Sequence, residues 1–357
     1  MNKYVPFLKA KQNEIFALKN LDSSLFEFVT PFFDYPLDLK KTTDQIKKAF
    51  KTKVKQYVTH LSEIQEFYFD NYDLDSDLQI DGKHNYEFFL NELKGLPVIP
   101  VVGIDRSQEH VDTVIKLKKS GLISSSILAL RFTLSDFEDF ESVEIDLEDL
   151  LEPAIELFDK VDLVFDARIC NHLDSDKVAK HIFDFHDGFL NKYPSIHIRR
   201  VITTGSCIPA SIRDLLSTGE NKTIVRNEMN IFEKVKKYEI SNELTFGDYT
   251  VITPNYSDLD LSGGTLQNIM AAKLIYSYEN KHFITRGKAI KTYGREQYFD
   301  LAAQICSQSF FRTSASSSGD SFLDARSKRI PPASLPNMVV APLINAHMTY
   351  MLRDALL

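Results

Sequence analysis

Charged side chains follow most of the strongly apolar segments of this 357-residue sequence, at the points where buried strands would end. Lys9 and Lys11 follow the first such segment, and Asp166 and Arg168 follow the sixth. The other charged residues at such positions are Asp34, Asp70, Asp105, Arg106, Arg131 and, if the last strand begins early, Asp248. If the fold brings them together, they line a mouth suited to an anionic ligand, with or without Mg²⁺. The alternative is that these charges pair with one another and bind nothing.

Arg131 stands out because it interrupts the apolar segment at residues 127–132. A buried arginine needs a carboxylate or phosphate partner, and Asp166 follows the next apolar segment. Gly205 and Ser206 follow the seventh segment and predict a phosphate-binding turn. The predicted ligand-binding residues are Lys9, Lys11, Arg131, Arg168, Gly205 and Ser206. Asp166 or Asp248 would then serve as a base or as a Mg²⁺ ligand.

The sequence contains no familiar metal-ligand or nucleotide-binding motif. Cys170, Cys207 and Cys306 are widely spaced and form no CxxC pair, so they predict neither a zinc site nor a disulfide framework. The histidines form no HxH or HExxH pattern, and GxGxxG, P-loop and GxSxG motifs are missing. We therefore expect no zinc, whereas Mg²⁺ stays open as a cofactor.

The elements that would position these residues follow a regular alternation of apolar segments and amphipathic helical segments. Each apolar segment is rich in Val, Ile, Phe or Tyr and has the length of a buried strand. Buried strands that alternate with helices predict a parallel sheet covered by helices, and eight such units are typical of a (β/α)8 TIM-like barrel. The predicted strands are residues 4–8, 25–33, 64–69, 98–104, 127–132, 161–165, 198–203 and 249–253. We therefore expect a barrel over residues 1–258, with its functional residues just after the strands.

The alternation ends after the eighth segment, and residues 259–357 are predicted to form an extension packed on the barrel. Residues 271–278 and 282–286 predict a β-hairpin, and residues 298–308 and 345–356 predict helices. The Ser-rich residues 313–320 predict a mobile loop. The expected fold is therefore an α/β barrel with a C-terminal β-hairpin and a helical cap.

The net charge and hydropathy of the sequence argue against nucleic-acid binding and membrane insertion. A formal net charge of −8 makes nucleic acid an improbable partner, since such binding depends on neutralising phosphates. The lysine-rich stretch at residues 40–55 is interpreted as the solvated face of an amphipathic helix. Because no apolar stretch is long enough to span a bilayer and the first residues lack a signal-peptide pattern, we expect a cytoplasmic protein that does not bind membranes.

Two motifs, residues 4–14 and Phe246-Gly247-Asp248-Tyr249, are the most specific parts of a wider similarity that also includes Arg226-Asn227-Glu228. These segments resemble the beta protein family of satellite phages, prophages and bacterial genomes. The family's namesake lies beside a toxic gene in a satellite-phage cassette, counteracts its killing, and belongs to an anti-phage defence module. The resemblance implies an immunity or regulatory protein that restrains a partner effector or senses infection, and it supplies no catalytic residues.

Two functional hypotheses follow from the sequence. In the first, the barrel is a binding scaffold, and a partner protein docks on its rim or on the C-terminal cap. In the second, it is an enzyme or sensor that acts on a phosphorylated, nucleotide-like ligand at the carboxyl ends of the strands. A closed mouth with Arg131 paired to Asp166 would favour the scaffold, and an open basic pocket would favour the ligand site.

Overall fold

A closed barrel of parallel strands forms the main body of the molecule. The computed structural model describes residues 4–37, 41–240, 242–255 and 271–356, so the predicted boundary at residues 258–259 lies outside the described residues. The barrel strands are β1 (Tyr4–Lys9), β2 (Phe32–Asp34), β3 (Phe67–Asp70), β6 (Val98–Val102), β7 (Ile127–Thr133), β8 (Lys160–Ile169), β9 (Ile198–Ser206) and β11 (Glu243–Asp248). They close in the order β1-β11-β9-β8-β7-β6-β3-β2, which confirms the predicted TIM-like barrel.

Amphipathic helices cover the barrel between its strands. They are α1 (Gln12–Lys19), α2 (Thr43–His60), α3 (Asn85–Glu92), α4 (Gln108–Lys119), α5 (Leu134–Phe137), α6 (Phe140–Leu151), α7 (Ser175–Lys192) and α8 (Asn227–Val235). The helix starts follow ordinary capping chemistry: Thr42 and Gln45 form a capping box at α2, and the Ser107 side chain accepts from the His110 N–H at α4. In the part of the chain that the structure describes, no helix is both long and apolar enough to cross a membrane.

The barrel interior is a packed core with a polar lower end. Phe7 stacks on Phe32, and Phe32 stacks on Tyr68, with ring centroids 4.2 and 5.3 Å apart. Below these rings the Tyr68 hydroxyl donates to Asp162 over 2.6 Å, and Arg199 donates to the same carboxylate. The other apolar residues of the interior cluster are Val5, Ile99, Val101, Ala129, Val164, Ile202 and Tyr249. The barrel therefore has no open channel at the level of these side chains.

The C-terminal extension consists of a small antiparallel sheet and several helices. Strands β12 (Ala271–Tyr278) and β13 (Lys281–Ala289) form the predicted hairpin, and β10 (Asn221–Val225) pairs with β13. Strand β10 was not predicted because it begins with three polar residues and shows no apolar alternation. The helices of the extension are α9 (Ile290–Tyr293), α10 (Gln297–Cys306), α11 (Ser318–Ser327) and α12 (Val340–Tyr350), followed by a π-helical turn at Met351–Ala355. Earlier in the chain lie the short ribbon of β4 (Gln79–Ile80) and β5 (Lys83–His84) and two 3₁₀ helices, Ile212–Asp214 and Lys236–Tyr238.

Two barrel strands differ from their predicted positions. The second predicted segment begins with a 3₁₀ helix at Ser23–Phe28, and only its end enters the sheet as β2. The eighth strand is β11 at Glu243–Asp248, so the predicted strand at residues 249–253 is wrong. The inward positions of β11 are Thr245 and Gly247. Because neither residue is strongly apolar, the sequence of β11 lacks the apolar run that predicts a buried strand. The apolar residues after it are buried as a turn, in which Thr250 has a φ of +57°.

The Ser-rich segment at residues 313–320 is also ordered differently from its prediction, because its second half begins helix α11. The Ser317 side chain caps this helix by accepting from the Asp320 N–H over 2.9 Å, and Asp320 in turn accepts from the Tyr276 hydroxyl over 2.7 Å. A Cβ at Gly319 would lie 2.0 Å from the Pro342 carbonyl oxygen. Glycine at this position therefore lets α11 pack directly on α12.

Helix α1 carries a buried carboxylate. Glu14 is 4% exposed, and its Oε2 has no hydrogen-bond partner among the described residues. Burial raises the pKa of Glu14 to about 7, although Lys11, Lys53 and Lys9 act in the opposite direction. The folded protein therefore holds a proton on Glu14 at pH values where the unfolded chain has lost it.

We predict that Glu14→Gln stabilises the protein at high pH but not at low pH. Because the pKa of Glu14 is raised on folding, its contribution to stability falls as pH rises from about 4.5 to about 7. The variant should therefore gain up to about 3 kcal/mol at pH 8 relative to the wild type, and little at pH 5. Urea unfolding of both proteins at several pH values measures this difference, with Glu63→Gln at an exposed position as the matched control. Parallel pH profiles would contradict the assignment.

Candidate functional site

The carboxyl end of the barrel carries a layer of charged side chains. Strand side chains alternate between the two faces of a sheet, so residues two positions beyond an inward apolar residue also point inward. The five residues placed in this way are Lys9, Asp34, Asp70, Arg131 and Asp166, which follow Phe7, Phe32, Tyr68, Ala129 and Val164. All five are at least 95% buried. We call this set, together with Tyr249, the mouth cluster.

Arg131 lies at the centre of the mouth cluster. Its Nη1 donates to Asp34 and Asp70 over 2.7 and 2.8 Å, and its Nη2 donates to Asp166 over 2.6 Å. Nη2 also donates to the Tyr249 hydroxyl over 2.8 Å, and Nε donates to Asp166 over 3.2 Å. Although burial opposes the charge, the neighbouring Asp34, Tyr249, Asp166 and Asp70 raise the pKa of Arg131 well above its usual value. The guanidinium has therefore already satisfied its hydrogen-bonding groups within the protein.

Further ion pairs neutralise the carboxylates of the mouth cluster. Arg106 Nη2 donates to Asp70 over 2.9 Å, and Lys9 Nζ lies 2.6 Å from Asp73 and 3.8 Å from Asp34. Asp166 has both oxygens engaged, because Oδ2 accepts from Arg131 and the Tyr249 hydroxyl and Oδ1 accepts from the Arg168 N–H. Binding of Mg²⁺ by Asp166 would require these contacts to break. The predicted pairing of Arg131 with Asp166 is thus present as part of a larger network.

Tyr72 covers the mouth cluster from the outside. Its ring centroid lies 4.7 Å from the guanidinium carbon of Arg106 and 4.5 Å from those of Arg131 and Arg168. Arg168 lies at the rim, donates from Nη2 to Asn255 over 3.0 Å, and has a φ of +50°. Its Nη1 is buried and has no hydrogen-bond acceptor among the described residues. Arg168 therefore keeps a spare donor that Arg131 lacks.

Three other predicted ligand-binding residues lie outside the mouth cluster. Lys11 is exposed just before α1 and borders a separate pocket of about 300 Å³. Gly205 and Ser206 belong to strand β9, so the expected phosphate-binding turn is not formed by these residues. The Ser206 hydroxyl donates to the Ile252 carbonyl and accepts from the Ile208 N–H, each over 3.1 Å. The structure thus gives Ser206 a local structural contact, and it places Gly205 on the outer face of the barrel.

Asp248 also lies apart from the mouth, because Gly247 and Tyr249 occupy the inward positions on either side of it. Asp248 Oδ1 accepts from the Tyr4 hydroxyl over 2.5 Å, and Oδ2 accepts from Arg226 over 2.5 Å and lies 2.9 Å from His347 Nε2. Burial alone would raise the pKa of Asp248, but His347, Arg226 and Tyr4 outweigh it and hold this pKa well below its usual range. Asp248 therefore lies at the end of its strand, as expected for a strand that begins early, but its contacts are with Tyr4, Arg226 and His347 and not with the mouth cluster.

The contacts of Asp248 continue as a hydrogen-bonded chain into the C-terminal extension. His347 Nδ1 lies 2.6 Å from the Ser277 hydroxyl, which lies 2.9 Å from His282 Nδ1. Burial lowers the pKa values of both histidines. Arg226 also donates from Nε to Glu228 over 3.1 Å. The barrel and the extension are therefore joined by a buried polar seam.

A group of potential metal ligands lies beside this seam and was not predicted. The Sγ atoms of Cys170 and Cys207 are 3.9 Å apart, and Glu228 Oε2 lies 3.8 Å from Cys170 Sγ. The hydrogen bond with Cys207 and burial raise the pKa of Cys170, and burial raises that of Glu228. Spacing along the chain concealed the group, since the cysteines are 37 residues apart on neighbouring strand ends. Cys170 and Cys207, which are widely spaced in the sequence, are therefore neighbours in the structure.

Comparison with known proteins identifies one family. A sequence model described as "Beta protein" matches residues 4–353, whereas no curated protein matches the chain significantly. A solved GH18 chitinase from Pseudoalteromonas aurantia is 9% identical over 69% of this chain and 93% of the chitinase, with a TM-score of 0.30. The arginine decarboxylase of Paramecium bursaria Chlorella virus, bound to agmatine, is 9% identical over 70% of this chain and 64% of the decarboxylase, with a TM-score of 0.26. Similarity this low carries no inference about activity.

We predict that Arg131→Ala destabilises the protein by about 3–5 kcal/mol, because it leaves buried carboxylates without their common partner. Chemical denaturation of the purified variant measures this loss. Arg329→Ala is the matched control, since the Arg329 side chain is 60% exposed and pairs with an equally exposed Asp300. The control should change stability by less than about 1 kcal/mol. A fully stable Arg131→Ala protein would show that the mouth cluster does not support the fold.

Proposed function

Because this chain belongs to the beta protein family, we propose that it is a cytoplasmic regulatory scaffold that restrains a partner effector in a phage-defence or toxin-immunity module. The observation that supports a scaffold best is the closed mouth of the barrel. Arg131 is 1% exposed, and its donors are engaged by Asp34, Asp70, Asp166 and Tyr249. A ligand could reach this guanidinium only by separating buried ion pairs, each of which is costly to break.

The C-terminal extension offers a surface on which a partner protein could dock. Ile330, Leu335 and Met338 lie in the segment between α11 and α12 and are 50%, 39% and 36% exposed. Single exposed apolar residues are common, but several in one short segment are typical of interaction surfaces. The segment continues into a cavity of about 410 Å³, whose lining includes Pro336 and Val339. We call this surface the apolar patch, and we assign it to the partner effector.

We predict that the triple variant Ile330→Asp, Leu335→Asp and Met338→Asp loses protection against the effector. Charges in the apolar patch would have to be desolvated on binding, so the complex should weaken at least tenfold. The test co-expresses each variant with the neighbouring gene of the same module and measures growth, then measures affinity with the purified pair.

Ile145→Asp is the matched control for this experiment. Ile145 is 76% exposed on α6 of the barrel, so the substitution places one exposed Asp away from the apolar patch, as each of the three substitutions places one within it. Circular dichroism and thermal unfolding establish that both variants are folded. Equal protection by the triple variant and the wild type would remove the apolar patch from the proposal.

A second candidate function is an enzyme or sensor for a phosphorylated, nucleotide-like ligand. The spare Nη1 donor of Arg168 at the rim favours it, because a buried guanidinium N–H without an acceptor suits an anionic group. Backbone strain at Arg168, with a φ of +50°, is also a feature of many functional sites. The scaffold remains the preferred proposal, since the Arg131 guanidinium at the centre of the mouth cluster has its donors engaged by Asp34, Asp70, Asp166 and Tyr249.

Thermal unfolding with ATP, GTP and inorganic phosphate, each with and without Mg²⁺, separates the two candidates. The scaffold predicts no shift in melting temperature at millimolar ligand. The alternative predicts stabilisation of about 2.7 kcal/mol at a hundredfold excess over Kd, lost in Arg168→Ala. Arg168→Ala is a better probe than Arg131→Ala, because it leaves the buried pairs of Arg131 in place. A shift that Arg168→Ala abolishes in a folded protein would overturn the scaffold as the primary role.

A further inference from the structure

Cys170, Cys207 and Glu228 converge on the outer face of the barrel. Cys170 and Cys207 follow the paired ends of β8 and β9, where Ile169 is opposite Ser206, and Glu228 lies in the first turn of α8. All three are at least 97% buried, and one ligand atom from each lies within 4.8 Å of the others. Two neighbouring strands and the helix packed against them therefore fix the group.

The distances match the edges of a tetrahedral metal site. With Zn–S bonds of about 2.3 Å, two thiolate sulfurs of one tetrahedron are about 3.8 Å apart, and a sulfur and a carboxylate oxygen are about 3.6 Å apart. The observed separations are 3.9 Å between the sulfurs and 3.8 Å between Cys170 Sγ and Glu228 Oε2. A disulfide would require the sulfurs to approach to about 2.05 Å. The arrangement is thus already spaced for a shared metal ion.

Neighbouring groups hold the three side chains in orientation. Arg226 Nε engages Glu228 Oε1 over 3.1 Å, which leaves Oε2 directed toward Cys170. The Asn227 N–H lies 3.0 Å from Cys207 Sγ, and Asn227 Nδ2 donates to the Cys170 carbonyl over 2.8 Å. Such contacts are typical of the groups that orient metal ligands and tune their basicity.

The surroundings of the two cysteines leave room for their side chains and for solvent. A Cβ at Gly205 would lie 3.1 Å from Cys170 Sγ, so glycine keeps the thiol in place without crowding. On the other side, Cys207 and Asn227 line a cavity of about 380 Å³, together with Asn171 and Asn230. The group therefore adjoins open space at Cys207, the side from which an ion and a solvent ligand can approach.

We propose that this chain binds one Zn²⁺ ion through Cys170 Sγ, Cys207 Sγ and Glu228 Oε2, with solvent as the fourth ligand. Two sulfurs and one oxygen in a tetrahedral arrangement suit Zn²⁺ better than Mg²⁺ or Ca²⁺, which take oxygen ligands in larger numbers. Binding converts both thiols to thiolates and releases their protons to solvent. Two thiolates and a carboxylate leave the occupied site with one net negative charge, which Arg226 faces.

Metal binding by the full-length, reduced protein tests this proposal. After removal of metal with a chelator, the protein is titrated with Zn²⁺ and its metal content is measured by inductively coupled plasma mass spectrometry. The wild type should bind about one Zn²⁺ per chain, and Cys170→Ser and Cys207→Ser should bind at least about a hundredfold more weakly. Cys306→Ser is the matched control, because Cys306 lies at the end of α10 outside the group.

Co²⁺ gives a readout that does not depend on the folding of a variant. The wild-type Co²⁺ complex should show thiolate-to-cobalt charge-transfer absorption and a tetrahedral d–d spectrum, and X-ray absorption should count two sulfur ligands. Absence of these signals, absence of Zn²⁺ binding in the wild type, or loss of binding only in Cys306→Ser would overturn the site. A Cys170–Cys207 disulfide in air with no Zn²⁺ bound after reduction would equally overturn it.

Discussion

The fold depends on the neutralisation of Arg131 inside the barrel. Closing eight strands directs their alternate side chains into one narrow interior, where an unpaired charge costs several kcal/mol. Asp34 from β2, Asp70 from β3 and Asp166 from β8 all contact the single guanidinium on β7. The pairing joins strands that are not all neighbours, so it constrains their register as well as their charge. Arg131 and its aspartate partners were candidate site residues in the sequence, but in the structure their ion pairs stabilise the barrel.

A second buried arginine, Arg226, neutralises carboxylates on the outer face of the barrel. Arg226 precedes α8 and pairs with Asp248 of β11 and with Glu228, while Asp248 also contacts His347 of α12. Arg226, Asp248 and Glu228 all precede the extension and neutralise one another, and His347 of the extension adds a further contact to Asp248. The C-terminal helices are thus an integral wall of the protein, and their packing determines which surfaces stay exposed.

The sequence predicted the architecture well because eight buried segments repeat with helices between them, and it predicted that Arg131 pairs with Asp166. It could not assign Asp248 or Gly205 correctly, since a shift of one residue in a strand exchanges the two faces of the sheet. Asp248 does end β11, as expected for a strand that begins early, but the sequence did not show that its side chain lies on the outer face. Nor could linear spacing bring Cys170 to Cys207, because their proximity arises only from the pairing of β8 with β9.

The inner and outer faces of β8 and β9 differ in whether their polar side chains can still bind a ligand. Inside the barrel, Asp166 has its oxygens engaged by Arg131, Tyr249 and the Arg168 N–H. Outside it, Cys170 and Cys207 contact one another and Glu228 and take part in no ion pair among the described residues. Groups already saturated by opposite charge stabilise a fold, whereas neutral donors held at ligand spacing can still bind an ion without dismantling it. The group of Cys170, Cys207 and Glu228 is therefore better suited than the barrel mouth to bind a ligand while the fold stays intact.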